Sequence, residues 1–263
     1  MNFQNIIVEK KNYAAWITLN RPEHRNQLSA ELLRELTDAL AETSTDPKIL
    51  AIILYGGTGK TFCAGADVSG LRDAKDIPIL HRRELLKSFV EILKILKQVD
   101  KPTIAAVNGH AMGGGAGLIM ACDFAIVADQ AKIGFPEILV GFIPAIVLVN
   151  LMRLLPWRTV VELVFTGKML TAKEAKEIGL INNVVPKEQL LQEVEGLAKV
   201  LSSRSPAAMK LSKELMRSIE DMNFDQALAY ASNMNVISQL TEDFSEGVKA
   251  YTEKRPPKWA GIF

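Results

Sequence analysis

The stretch Asn108-Gly109-His110-Ala111-Met112-Gly113-Gly114-Gly115-Ala116-Gly117-Leu118 sets three consecutive glycines between two apolar runs, 103–107 and 118–122. That pattern predicts a buried strand, a turn of glycines and the first turn of a helix. Three residues without a Cβ let another group approach the backbone closely. The first N–H groups of a helix have no internal acceptor, and aligned peptide dipoles give them partial positive charge. A carbonyl oxygen that becomes negative during a reaction would be stabilised there. A plain tight turn between strand and helix is the commoner meaning of such glycines.

A second candidate is Glu137, a single carboxylate in the apolar segment Ile133-Gly134-Phe135-Pro136-Glu137-Ile138-Leu139-Val140-Gly141-Phe142-Ile143-Pro144. An isolated Glu after a proline is usually a surface charge at a turn. A desolvated carboxyl, by contrast, holds its proton to higher pH, which suits a proton shuttle. The basic tail Lys254-Arg255-Pro256-Pro257-Lys258 reads as a solvated end or as a counter-charge for an anionic ligand.

The surrounding pattern is that of an α/β protein. Ile6–Glu9 and Ala14–Leu19, split by Lys10-Lys11-Asn12, signal a hairpin. Ser29 ahead of Leu32, Leu33, Leu36 and Leu40 predicts an N-capped amphipathic helix. Ile49–Tyr55 is apolar on both faces, as a strand covered by helices on both sides must be. A loop, Lys60 to Asp67, follows, and then a helix over 80–99. Strand and helix in alternation argue for a right-handed parallel arrangement. Phe124–Ala128 is a further strand, and Thr171-Ala172-Lys173-Glu174 is a capping box for a short helix ending at Gly179. Helices are expected over 190–201, from Ser205-Pro206, over 223–237 and over 242–251. Their apolar faces need cover from the main domain or from a neighbouring subunit.

Composition narrows the function classes. With 263 residues, 48% of them hydrophobic, the chain can bury a sizeable core. Its 31 basic and 30 acidic residues leave no electrostatic footprint for nucleic acid. Two cysteines, Cys63 and Cys122, argue against a disulfide scaffold and for a reducing compartment. The N-terminus lacks a signal-peptide pattern, and no apolar run would span a bilayer, so a cytoplasmic enzyme is expected.

Several landmarks occur together in order: Arg21-Pro22 with Arg25-Asn26, Phe62-Cys63-Ala64-Gly65-Ala66-Asp67, Lys101-Pro102 with Ala105 to Gly109, and Gly113-Gly114-Gly115 with Cys122-Asp123. Pro136-Glu137, Gly141 with Pro144, Thr166-Gly167, Ala172 to Leu180 and Glu253-Lys254-Arg255 continue the series. Across nearly its whole length the chain resembles the enoyl-CoA hydratase/isomerase (crotonase) superfamily. The resemblance implies a spiral of ββα units over residues 1–200 that binds the CoA thioester. It implies a C-terminal helical region, 201–263, that mediates trimerisation and covers the active site. Homotrimers or hexamers are the implied assembly, and CoA enters as part of the substrate, with no separate cofactor and no metal. The implied oxyanion donors are the backbone N–H groups of Ala66 and Gly114. Lys60, Ala64, Asp67, Val68 and Lys254 match substrate-binding positions, the segment Ala64 to Val68 lying near the adenine.

One departure bears on the reaction. Hydratases of the family carry two glutamates; Glu137 matches the second, and Gly117 stands where the first belongs. Hydration requires a water to be held and deprotonated as well as a proton delivered, and two carboxylates divide that work. A single carboxylate suits a 1,3-proton shift, so double-bond isomerisation is placed ahead of hydration. Hydration, including of a branched acyl group, and decarboxylation of a CoA ester are the alternatives. A non-catalytic acyl-CoA- or RNA-binding homologue comes last, given the balanced charge and the retained Glu137. The resemblance places a side chain at 117 so that it points toward the reacting carbons. Ala145-Ile146-Val147-Leu148-Val149-Asn150 replaces a usual glycine-rich stretch, which suggests a drier or reshaped acyl pocket or plain helix packing.

Overall fold

A computed structural model of the chain describes residues 3–66 and 79–259, apart from the side chains of Ile79, His81, Arg82 and Leu85. Ile6–Lys11 (β1) and Ala14–Leu19 (β2) form the expected antiparallel hairpin. Its turn residues Asn12 and Tyr13 both have positive φ, 50° and 63°, the turn hand that matches strand twist. Ser29 caps Ala30–Thr45 (α1), its Oγ accepting the Leu32 N–H at 3.3 Å. Leu32, Leu33, Leu36 and Leu40 are buried, so the leucine spacing marks the face that packs.

Ala51–Tyr55 (β3), Thr61–Cys63 (β4) and Ile79–Gln98 (α2) follow. Thr103–Val107 (β5), His110–Met112 (β6) and Gly114–Ala121 (α3) repeat that order. Phe124–Ala128 (β7) and Lys132–Gly134 (β8) begin a third passage. Each passage sets one strand in a large sheet and the next in a small one before the chain turns helical, which is the ββα spiral. After β8 come Ala145–Leu154 (α4), Trp157–Thr166 (α5), Met169–Thr171 (β9), Ala172–Glu177 (α6) and Asn183–Val185 (β10). Leu190–Ser202 (α7), Pro206–Ser218 (α8), Phe224–Gln239 (α9) and Glu242–Thr252 (α10) end the series.

The large sheet has the order β1-β2-β3-β5-β7-β10 and is parallel from β2 onward. The small sheet runs β4-β6-β8-β9, with only β8 and β9 antiparallel. Period-two alternation divides the large sheet between two cores. Ile52, Leu54, Ala105 and Val107 face the core that contains α1, α2 and α3. Ile53, Ile104, Ala106 and Ile126 face the other, closed by Leu190, Val194 and Ala198 of α7. That helix runs across the boundary expected at residue 200. The small sheet was not anticipated, because three-residue strands are too short to show a period.

Buried polar bonds tie α8 to the core. Lys213 Nζ, on a residue 8% exposed, pairs with Asp123 Oδ2 at 2.6 Å and donates to the Lys101 carbonyl at 3.2 Å. The same Asp123 oxygen accepts the backbone N–H and the hydroxyl of Thr103. Burial pulls the Lys213 ammonium below the ordinary lysine value, against the opposing pull of Asp123. Removing one member of such a pair strands the other charge. Lys213→Met is therefore expected to cost about 3 kcal/mol and lower the Tm by about 6–12 °C. An unchanged melting curve would show that apolar packing alone holds α8. Among the described residues no helix is long and apolar enough to cross a membrane.

Candidate active site

The Lys60–Ala66 loop reaches the start of α3 because a buried asparagine holds it. Asn26, 2% exposed, accepts the Arg21 N–H on Oδ1 and donates from Nδ2 to the Gly56 and Phe62 carbonyls, each at 2.9 Å. This is the structural role of the Arg21-Pro22 and Arg25-Asn26 landmark. Leu28 N–H donates to the Gly65 carbonyl at 2.9 Å, and Ala64 N–H donates to the Arg25 carbonyl at 3.1 Å. Gly65 has φ 80°, and a Cβ there would stand 2.6 Å from the Met112 carbonyl oxygen and 3.1 Å from Gly114 N. Only glycine allows both the backbone angle and the close approach. Gly65 is thereby set against Gly114, and Ala66 follows it in the chain.

The glycine turn begins α3 as expected, although β6 lies between it and β5. Gly113 adopts φ 50° and donates its N–H to the Gly134 carbonyl at 3.0 Å. The first bond of the helix runs from Gly117 N–H to the Gly113 carbonyl, 2.9 Å. Gly114 therefore occupies the first helical position, whose N–H has no acceptor within the helix. No acceptor among the described residues takes the N–H of Ala66 or of Gly114. Two free donors thus sit on adjoining backbone segments.

Glu137 comes to the same place through the small sheet. Met112 of β6 pairs with Gly134 of β8, and a 3-10 helix, Pro136–Val140, follows directly. Gly141, at φ 73°, closes that turn and donates to the Ile138 carbonyl at 3.1 Å. A Cβ built on Gly113 would lie 2.5 Å from Glu137 Oε1 and 3.2 Å from its carboxyl carbon. The carboxylate therefore rests on the glycine turn. Its Oε2 is buried and has no hydrogen-bond partner among the described residues.

Burial pushes the Glu137 carboxyl above the usual range, opposed only by a bond to its own backbone. A carboxyl whose folded pKa is raised contributes stability that is complete below its unfolded pKa. That contribution is lost as pH rises through the folded value. Glu137→Gln is accordingly expected to melt higher than wild type at neutral pH, the gap closing below about pH 4. A Tm series across that range checks this; a gap independent of pH would contradict it.

Gly117 is closely packed. A Cβ at this position would stand 2.6 Å from Val147 Cγ1 and 3.2 Å from Phe89 Cζ, so its space is already filled by α4 and α2. Phe89 and Val147, like Leu28 beside Gly114, were not picked out as site residues. At helical spacing they look like ordinary core. Lys60 is exposed, with its carbonyl accepting the His110 N–H at 3.1 Å. Lys254 is exposed beyond α10 at φ 53°, and no recorded bond joins it to Ala66, Gly114 or Glu137. Asp67 and Val68 lie outside the described residues. Among the described residues no group of three His, Cys, Asp or Glu side chains is placed to hold a metal ion. Cys63 is buried, its thiol pushed up to about 12 by desolvation.

The geometry sets two backbone N–H groups near one desolvated carboxylate, and comparison with known proteins gives the family. The profile of the enoyl-CoA hydratase/isomerase family matches residues 9–261. The chain belongs to this family. It is 35% identical over 256 residues to the short-chain-enoyl-CoA hydratase of Clostridium acetobutylicum, covering 97% of both chains. It is equally similar, 35% over 256 residues and 97% of both chains, to the crotonyl-CoA hydratase of Syntrophomonas wolfei. The enoyl-CoA hydratase of Bacillus anthracis superimposes with a TM-score of 0.92 at 33% identity, over 98% of this chain and all of that one. The fold is thus the crotonase fold.

Proposed function

We propose that this family enzyme moves a proton beside the carbonyl of an enoyl-CoA thioester, using Glu137 as the acid/base. The observation that carries this reading is the buried Glu137 Oε2 against the glycine turn, where neither that oxygen nor the next N–H has a partner among the described residues. The thioester oxygen would accept the Ala66 and Gly114 N–H groups. Charge then builds on that oxygen when the α-carbon loses a proton, and each donor contributes roughly 3 kcal/mol to the transition state. Glu137 takes the α-proton of a 3-enoyl thioester as a carboxylate, becomes neutral in a site that favours the neutral form, and returns the proton to the γ-carbon. The product is the conjugated 2-enoyl thioester.

Isomerisation is favoured over hydration because one carboxylate suffices for it and Gly117 offers no second. Hydration is the other reading, favoured by the hydratases named among the relatives. A panel of 2-enoyl- and 3-enoyl-CoA esters, read by thioester–alkene absorbance and by mass for added water, separates the two. Double-bond migration as the main reaction supports the first; fast water addition to a 2-enoyl ester supports the second. Lys60, Ala64, Asp67, Val68 and Lys254 are proposed to hold the CoA portion, with no further cofactor. Trimers or dimers of trimers are proposed as the assembly. Leu139, Trp157, Phe165, Phe224 and Leu240 are large apolar side chains left exposed on the single chain, as association would require.

A further inference from the structure

We infer that Val147, backed by Phe89, determines which reaction Glu137 carries out, by filling the place beside Gly117 that a second acid would need. The inference rests on the proton-transfer reading of the site. Gly114 and Gly117 lie three residues apart on α3 and so share one helix face. Phe89 Cζ spans both, 3.4 Å from a Cβ built on Gly114 and 3.2 Å from one built on Gly117. Val147 closes the remainder, with Cγ1 at 2.6 Å and Cβ at 3.6 Å from the Gly117 Cβ position. Both side chains are buried, Val147 at 3% exposure and Phe89 at 8%.

The three side-chain atoms closest to a Cβ at position 117 are therefore all carbon. A water held there would need room and at least two polar partners, and these neighbours offer neither. Val147 is β-branched and sits on a helix, where one rotamer is strongly preferred, so Cγ1 does not simply swing aside. A glutamate introduced at 117 alone meets that methyl group at its own Cβ. The two departures seen in the sequence, glycine at 117 and aliphatic bulk at 147, are thus one structural change. The wall beside the oxyanion donors accepts hydrocarbon and keeps Glu137 as the sole proton carrier. This makes Val147 a specificity-determining residue, selecting migration of an alkene over addition of water.

Four proteins test this: wild type, Gly117→Glu, Val147→Ala and the double variant, each given a 3-enoyl-CoA and a trans-2-enoyl-CoA. Gly117→Glu alone is expected to melt about 3–10 °C lower and to gain no water addition. The double variant is expected to recover much of that Tm and to add water at least ~10-fold faster than either single variant. Equal hydration by Gly117→Glu and the double variant would overturn the inference, as would a double variant no faster than Val147→Ala. Should Gly117→Glu fail to fold, Gly117→Ala decides, since it places only a Cβ at the contested point. Its Tm loss must be larger in wild type than in the Val147→Ala background, and equal losses overturn the inference. A wild type whose main reaction is hydration would defeat the isomerisation reading and with it the selectivity assigned to Val147, whereas equal losses in the alanine cycle overturn the Val147 contact alone.

Discussion

Glu137→Gln is expected to lower turnover by at least ~10²-fold while the protein still binds CoA esters. Gln has nearly the shape of Glu, so the contact with Gly113 and the 3-10 helix after Pro136 stay in place. What it loses is the ability to accept and return a proton. The loss should appear in kcat, with KM little changed, because the CoA portion is held elsewhere. The same substitution is expected to raise the Tm at neutral pH, for the reason given by the raised carboxyl pKa. Opposite signs for activity and stability in one variant are hard to obtain from misfolding. Near-normal turnover in Glu137→Gln would remove Glu137 from the chemistry.

The second large effect is expected at Gly114, which acts through its backbone. Proline has no N–H and is accepted in the first turn of a helix, where Gly114 stands. Gly114→Pro should lower kcat by about 10²–10³-fold, the cost of one oxyanion donor. Any side chain here also meets Leu28 Cδ1, 2.8 Å from the Cβ position, so Gly114→Ala is the needed control. Alanine shares the crowding and keeps the donor. The ratio of the two variants isolates the N–H, and equal losses in both would contradict the oxyanion role.

Long elements with chemical end-signals were legible in the sequence. Ser29, the Thr171/Glu174 capping box and Ser205 ahead of Pro206 each cap the helix they announced. Strands β2, β3, β5 and β7 of the large sheet were legible because they are buried on both faces. The small sheet was not, and it is what assembles the site. Glu137 reaches Gly113 through the pairing of Met112 with Gly134, a contact between two three-residue strands with no periodic signal. The filling of position 117 was hidden for a related reason. Phe89 and Val147 lie on different helices, and nothing local shows that both converge on one glycine. Glu137 was legible as a candidate acid; what stands opposite it depended on packing.

The proposed reaction is one carboxylate carrying one proton between two carbons. A 3-enoyl-CoA deuterated at the α-carbon tests this in a single experiment. Incubated with the wild-type protein in ordinary water, it should give 2-enoyl-CoA with part of the deuterium at the γ-carbon, the label having passed through Glu137. Glu137→Gln should give neither product nor transfer. A 3-hydroxyacyl-CoA as the main product, with the γ-carbon free of label, would contradict the account.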